Sequence, residues 1–264
     1  MRAVKRTATR RTSWQRRWRR LASRWRASPA ALRAPFVLGL LFAVTVGYQV
    51  LRKPTELFAV VPTASKGPPS TWSAYGPLFR EHATELVTPE LLAALSQVES
   101  AGDPLARTYW RWRWAWNPLG LYGPASSAVG LLQITDGTYA EARHLCVHDH
   151  RVVRDGPWRD PRVCWFNDLY VRWLPSHAIE MTSAWLDVQL RSTLGARLER
   201  TSPERRCRLA AVIHLCGPRR GAAYARRGFR TLPRERCGDH RLEAYLARVG
   251  ELAEEFARLA REAG

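Results

Sequence analysis

Residues 34–51 form an uncharged, mostly apolar run of 18 bracketed by Arg33 and Arg52, and this run limits what the chain can become. At about 1.5 Å per residue, a helix of that length crosses the hydrocarbon core of a bilayer. The preceding basic stretch is too long and too Trp-rich for an ordinary signal-peptide n-region, and no good small-x-small cleavage site follows closely. The run therefore reads as a retained single-span anchor, with a cleaved signal near Ala64 as the alternative. Thr9-Arg10-Arg11 lies too far from the apolar run to act as a twin-arginine signal.

Charge gives the orientation. Residues 1–33 hold twelve Lys or Arg and no acid, so they supply +12 of the net +19 and leave +7 for the rest. The arginine excess places the N-terminus in the cytoplasm and residues 52–264 outside. Within the basic stretch, Trp14, Trp18, Leu21 and Trp25 recur at helical spacing among arginines. That pattern fits an amphipathic helix on an anionic leaflet, ahead of nucleic-acid binding and plain disorder. Residues 52–73 carry several prolines and small polar residues, and read as a tether. The outer part, at +7, favours an anionic polymer, but charge alone does not choose between peptidoglycan and nucleic acid.

The residue with the most chemical content is Glu99. Thr88 is an N-cap with Pro89 at the first helical position, Leu91, Leu92, Leu95 and Val98 recur at helical spacing, and Gly102 and Pro104 end the run. Glu99 lies one turn beyond Leu95 and two beyond Leu92, so it projects from the stripe that should be buried. Burial disfavours the charged form of a carboxyl, which suits a general acid. A surface glutamate at a frayed helix end, or a buried one paired with an arginine, is the bland alternative.

The following segments narrow the choice. Gln97-Val98-Glu99-Ser100, then Ser127-Ala128-Val129-Gly130-Leu131-Leu132-Gln133, then Gly137-Thr138 resemble the soluble lytic transglycosylase (SLT) domain of the lysozyme superfamily. That family has an E-S pair closing a helix, an A-x-G-L-M-Q run and a P-G-T turn. Residues 178–186 are similar to its N-I-x-x-G-x-x-Y-L helix, without the Asn and Gly. Residues 210–218 resemble its A-x-x-x-Y-N-A-G-P element, with His214 in place of tyrosine and Leu215 in place of asparagine. The resemblance covers about residues 75 to 230.

It implies an all-α lysozyme-like domain that cleaves peptidoglycan between N-acetylmuramic acid and N-acetylglucosamine. Glu99 would protonate the glycosidic oxygen and then take the muramyl 6-hydroxyl proton, leaving a 1,6-anhydro product. Most glycosidases need two carboxylates, whereas substrate-assisted enzymes use one. Asp103 reads as a helix-stop residue and Asp136 as a turn residue, so the one-carboxylate route is preferred, with a water-using muramidase as its competitor. Ser100, Ser127 and Gln133 match the family's polar cleft positions. His214 is expected to bond Glu99 or the substrate, or to be structural, and Tyr224 is offered as the missing phenol.

Tyr109-Trp110-Arg111-Trp112-Arg113-Trp114-Ala115-Trp116 places tryptophans at every second position, on one face of an extended segment. Trp110, Trp112 and Trp114 are therefore candidates for stacking on sugar rings, with a packed strand or a membrane-interface loop as alternatives. The five cysteines all follow the anchor. The expected pairs are Cys146 with Cys164, and Cys237 with Cys207 or Cys216, with one thiol left free. His144, Cys146, His148 and His150 alternate as metal ligands could, but the resembled family needs no metal, and no metal or cofactor is expected. Leu242, Val249 and Phe256, with Tyr245, Leu252 and Leu259, make three heptads, for a coiled coil or, more simply, a helix docked on its own domain.

The expected organisation is a basic cytoplasmic segment 1–33, an anchor 34–51, a linker 52–73, a lysozyme-like domain 74–240 and a C-terminal helix 241–264. The expected setting is a bacterial inner membrane with the catalytic domain in the periplasm. The partners are peptidoglycan glycan strands and membrane lipids, not nucleic acid, in a layout compatible with serving a secretion or conjugation apparatus. The rival from another class is a catalytically silent peptidoglycan-binding assembly factor.

Overall fold

The computed structural model describes Ser23, Arg26 and residues 29–52, 65–112, 114, 116–157, 160 and 163–263. The Trp14, Trp18, Leu21, Trp25 stripe, most of the tether and the position near Ala64 lie outside the described residues. The chain is mostly helical and divides into two compact units, one holding residues up to Arg52 together with Trp110–Gly123, the other Lys53–Tyr109 and Pro124–Gly264.

The first unit is built on α1, Ala30–Arg52, which begins four residues before the uncharged run. It is long and apolar enough to cross a membrane, and Leu38, Leu40, Leu41 and Phe42 stand exposed along it. The strands β1 (Trp110–Trp112) and β2 (Tyr122–Pro124) pair with each other. Tyr122 lies in ring contact with Phe42 of α1, with Trp110 and with Trp112, at centroid distances of 5.7, 5.2 and 4.8 Å.

The second unit is a helical core. Helix α2 (Pro68–Glu81) and α3 (Pro89–Ser100) lead into α4 (Asp136–Ala142), the hairpin β3 (Leu145–His148) and β4 (Arg151–Arg154), and the long α5 (Pro175–Leu194). Helices α6 (Pro203–Cys216) and α7 (Pro218–Arg226), the short strands β5 (Arg236–Cys237) and β6 (His240–Arg241), and α8 (Leu242–Glu262) complete it.

Helix α3 forms as its residues dictate. Thr88 accepts the Leu91 amide, Pro89 opens the first turn, and Ala101 and Gly102 take left-handed conformations that end it. Leu91, Leu92 and Leu95 are buried. The heptad stripe of α8 covers them: α8 lies along α3 and also touches α2 and α6. Phe256 is fully buried, 5.8 Å from Trp72 of α2. The C-terminal helix thus docks on its own domain, because six of its apolar residues find a core there.

One buried carboxylate is structural. Glu180, inside α5, accepts the Val147 amide at 2.9 Å and the Tyr170 hydroxyl at 2.7 Å, so it fastens the β3–β4 hairpin to α5. Burial and the adjacent carboxylate push the Tyr170 phenol far up, keeping it a donor. The hairpin turns through Asp149 and His150, both left-handed, as a two-residue turn between paired strands requires.

The sulfur chemistry is settled by distance. Cys146 pairs with Cys164 and Cys216 with Cys237, leaving Cys207 free. Cys146 is thereby removed from any metal-binding set, His144 meets Asp155, and the His150 ring bonds the Ala83 carbonyl. Burial pushes the Cys207 thiol up. Alkylation of the folded, non-reduced chain followed by peptide mapping should recover both disulfides, with Cys207 modified rapidly only after denaturant is added. Rapid labelling of native Cys207 would contradict the raised thiol pKa of its half-buried setting.

Candidate functional site

The end of α3 is held before any chemistry is considered. The Lys66 amide donates to the Ala101 carbonyl and the Lys66 ammonium to the Gly102 carbonyl, while Gln97 donates to the Lys66 carbonyl and accepts from Thr71. These bonds tie the segment before α2 to the last turn of α3. Ser100 is part of the same fixation. Its hydroxyl lies 2.9 Å from the Ser96 carbonyl and 2.7 Å from the Leu131 carbonyl, joining α3 to the G-L-L-Q run.

That run is a tight turn. Gly130 sits at a φ of 81°, and a Cβ there would lie 2.2 Å from the Arg172 carbonyl oxygen, so the position admits glycine alone. Gln133 is left-handed at a φ of 45°, and its amide nitrogen donates to the Ala106 and Gly130 carbonyls. Both hydrogen bonds from the amide nitrogen go to backbone carbonyls, which leaves Oε1 of Gln133 as the atom available to a ligand. Ser127 also turns inward, with its hydroxyl accepting the Asp136 amide at the start of α4 and its carbonyl accepting from Arg172.

Glu99 emerges from this frame with its side chain 15% exposed. The Tyr245 hydroxyl, from the first turn of α8, donates to Glu99 Oε1 at 2.7 Å. His214 Nε2, near the end of α6, lies 3.7 Å from the same oxygen. Three helices therefore converge on one carboxyl. Both contacts fall on Oε1; among the described residues, Oε2 has no hydrogen-bond partner and can exchange a proton with a ligand.

The electrostatics of the two neighbours are defined by burial. Burial lowers the His214 pKa below the ordinary imidazole value, against the opposing pull of Glu99 and of a bond to the Leu132 backbone. His214 is therefore neutral at pH 7 and brings no charge to the carboxyl. Burial, with the Glu99 charge beside it, pushes the Tyr245 phenol well above its ordinary value. It remains a donor across the whole working pH range.

Tyr224 is corrected as a candidate phenol. Its ring is fully buried in edge contact with Phe229, its hydroxyl meets Arg208 at 3.3 Å, and it offers no surface to a substrate. The phenol at the carboxyl comes instead from Tyr245, which sequence reasoning counted as a heptad core residue. One signal was available: a tyrosine in an otherwise aliphatic and aromatic stripe carries a hydroxyl that needs a partner when buried.

Neither sequence neighbour supplies a second carboxylate. Asp103 is buried and accepts the Leu105 amide as a turn residue, and Asp136 is largely exposed and paired with Arg172 at 2.9 Å. Trp110, Trp112 and Trp114 belong to the α1 unit, described above by itself. Among the described residues, no group of three His, Cys, Asp or Glu side chains is arranged to hold a metal ion. The sequence matches no protein-family profile and no curated protein, so the reading of this site rests on its residues and geometry.

The depressed His214 pKa has a measurable consequence. The unfolded chain takes up the imidazole proton first, so the contribution is full above about pH 6.5 and is lost as the pH falls toward the folded value. The loss is at most about 1.4 kcal/mol per pH unit. His177, also lowered by burial, adds to the same slope. Chemical denaturation between pH 7.5 and 5 should therefore show a shallower loss of stability in His214→Gln than in the unaltered chain. Identical slopes would mean that His214 titrates normally.

Proposed function

We propose that this chain is a membrane-anchored peptidoglycan lytic transglycosylase of lysozyme-like fold, with Glu99 as its acid and base. The observation that carries the reading is the single carboxyl at the end of α3, held through Oε1 by a permanently protonated Tyr245 beside a neutral His214. The G-L-L-Q turn braced to Ser100 supports it, being the family's second motif bonded to its first.

The chemistry follows from one carboxyl. Protonated Glu99 delivers its proton to the glycosidic oxygen between N-acetylmuramic acid and N-acetylglucosamine as the C1–O bond breaks. The muramyl acetamido oxygen shares the positive charge that develops at C1. Glu99, now a carboxylate, takes the proton of the muramyl 6-hydroxyl, whose oxygen bonds to C1 and closes the 1,6-anhydro ring. Water enters no step, and Glu99 ends protonated for the next turnover. Tyr245 acts as a positioning residue, fixing Oε1 so that Oε2 faces the bond.

Location follows from α1 and the flanking charge. The helix anchors the chain in the inner membrane with residues 1–33 cytoplasmic and the catalytic unit periplasmic. No nucleic-acid partner is invoked. A wall-opening role for a secretion or conjugation apparatus is consistent with an anchored enzyme.

The full chain in detergent should release soluble muropeptides from purified sacculi, and Glu99→Gln should lower the rate by about 10²- to 10⁴-fold, the range for losing a general acid. Mass spectrometry of the products separates the chemistries: 1,6-anhydro ends support the transglycosylase, reducing ends assign a hydrolytic muramidase, and an absence of products assigns a binding factor. Tyr245→Phe should lower kcat by about 10- to 100-fold with KM little changed, as loss of orientation does. An unaltered kcat would remove Tyr245 from the mechanism.

A further inference from the structure

Residues 110–123 begin only eleven positions after Glu99 in the chain, yet they fold with α1. The insertion is tied to the helix by polar and aromatic contacts together. Gln49, an amide within the otherwise apolar run, donates to the Leu119 carbonyl at 2.7 Å, and Phe42 meets the Tyr122 ring. Counted back from Arg52 at about 1.5 Å per residue, Gln49 and Phe42 lie about 5 and 15 Å along the helix.

We infer that the described residues between Trp110 and Gly123 form an aromatic collar against the Arg52 end of α1 that inserts Trp114 and Trp116 into the lipid interface of the membrane α1 crosses. The inference rests on α1 being the membrane anchor proposed above. Trp114 and Trp116 are fully exposed, at 102% and 105%, in the same compact unit as a helix whose own large side chains are exposed. A sugar subsite is concave and walled, which fully exposed indoles are not, whereas indole at a bilayer surface buries its ring and keeps its N–H wet. The loop's polar groups suit that depth. The Leu119 amide donates to Asn117 Oδ1, the Gly120 amide to the Asn117 carbonyl, and the Leu119 carbonyl is taken by Gln49, so the turn carries its own partners where water is scarce.

The test is nitroxide accessibility in the full chain reconstituted into vesicles of phosphatidylethanolamine and phosphatidylglycerol, in a Cys207→Ser background that keeps both disulfides. Single labels are placed at Trp114→Cys, Trp116→Cys, Leu41→Cys within α1 and Glu254→Cys on the outer face of α8. The expected result is an oxygen-to-nickel-chelate accessibility ratio at 114 and 116 several-fold above that at 254, approaching that at 41. A lipid-like 41 with water-like 114 and 116 overturns the collar and leaves the anchor standing. A water-like 41 overturns the anchor and the collar with it. Labels at 114 and 116 that are water-like but immobilised by added glycan strands assign the loop to substrate and also overturn the collar. As a second readout, brominated lipids should quench part of the tryptophan emission, and Trp114→Phe combined with Trp116→Phe should reduce the quenched fraction.

Discussion

A carboxyl at the end of a buried helix is costly unless something meets it, and here the bond from Tyr245 to Glu99 does so across 146 residues of chain. Much of the second unit's arrangement can be read as the scaffolding of that contact. Helix α8 has to lie along α3 for its first turn to reach Glu99, and the aliphatic stripe of α8 that covers Leu91, Leu92 and Leu95 holds it there. The Cys216–Cys237 disulfide joins the end of α6, two residues beyond His214, to the hairpin that feeds α8. The two groups flanking the carboxyl are thus linked covalently as well as by packing.

How much of this was legible in the sequence depended on whether a signal was local. Helix α3 could be read from its cap, its proline and its leucines because each acts within a turn or two. One disulfide was named outright and the other to within two choices, since spacing limits partners but does not pick among them. The motif position of Gln133 says nothing about its left-handed backbone, which turns the amide nitrogen back onto the Gly130 and Ala106 carbonyls. Tyr224 misled: closeness in sequence to the altered element suggested a phenol, and the ring went into the core. Tyr245 was hidden because its heptad position explains its burial so well that its hydroxyl passed unremarked.

Two glutamates, Glu180 buried and Glu99 half-buried, make the contrast that defines the site. Glu180 has both oxygens engaged, one by the Val147 amide and one by Tyr170, and is fixed as a structural rivet. Glu99 has a phenol on one oxygen only. The same pairing of carboxyl with tyrosine serves strength in one place and leaves an oxygen available in the other. What separates them is the second partner, which the β3–β4 hairpin brings to Glu180.

The distance in sequence between Glu99 and Tyr245 also orders events in time. A nascent chain presents Glu99 long before Tyr245, since domains grow from the N-terminus at several residues per second. Until α8 has been made and docked, Glu99 has no fixed orientation, and the leucines it will share with that helix are uncovered. The contact therefore forms only after α8 has been made. A chain stalled or clipped before α8 carries Glu99 without the hydroxyl that meets it.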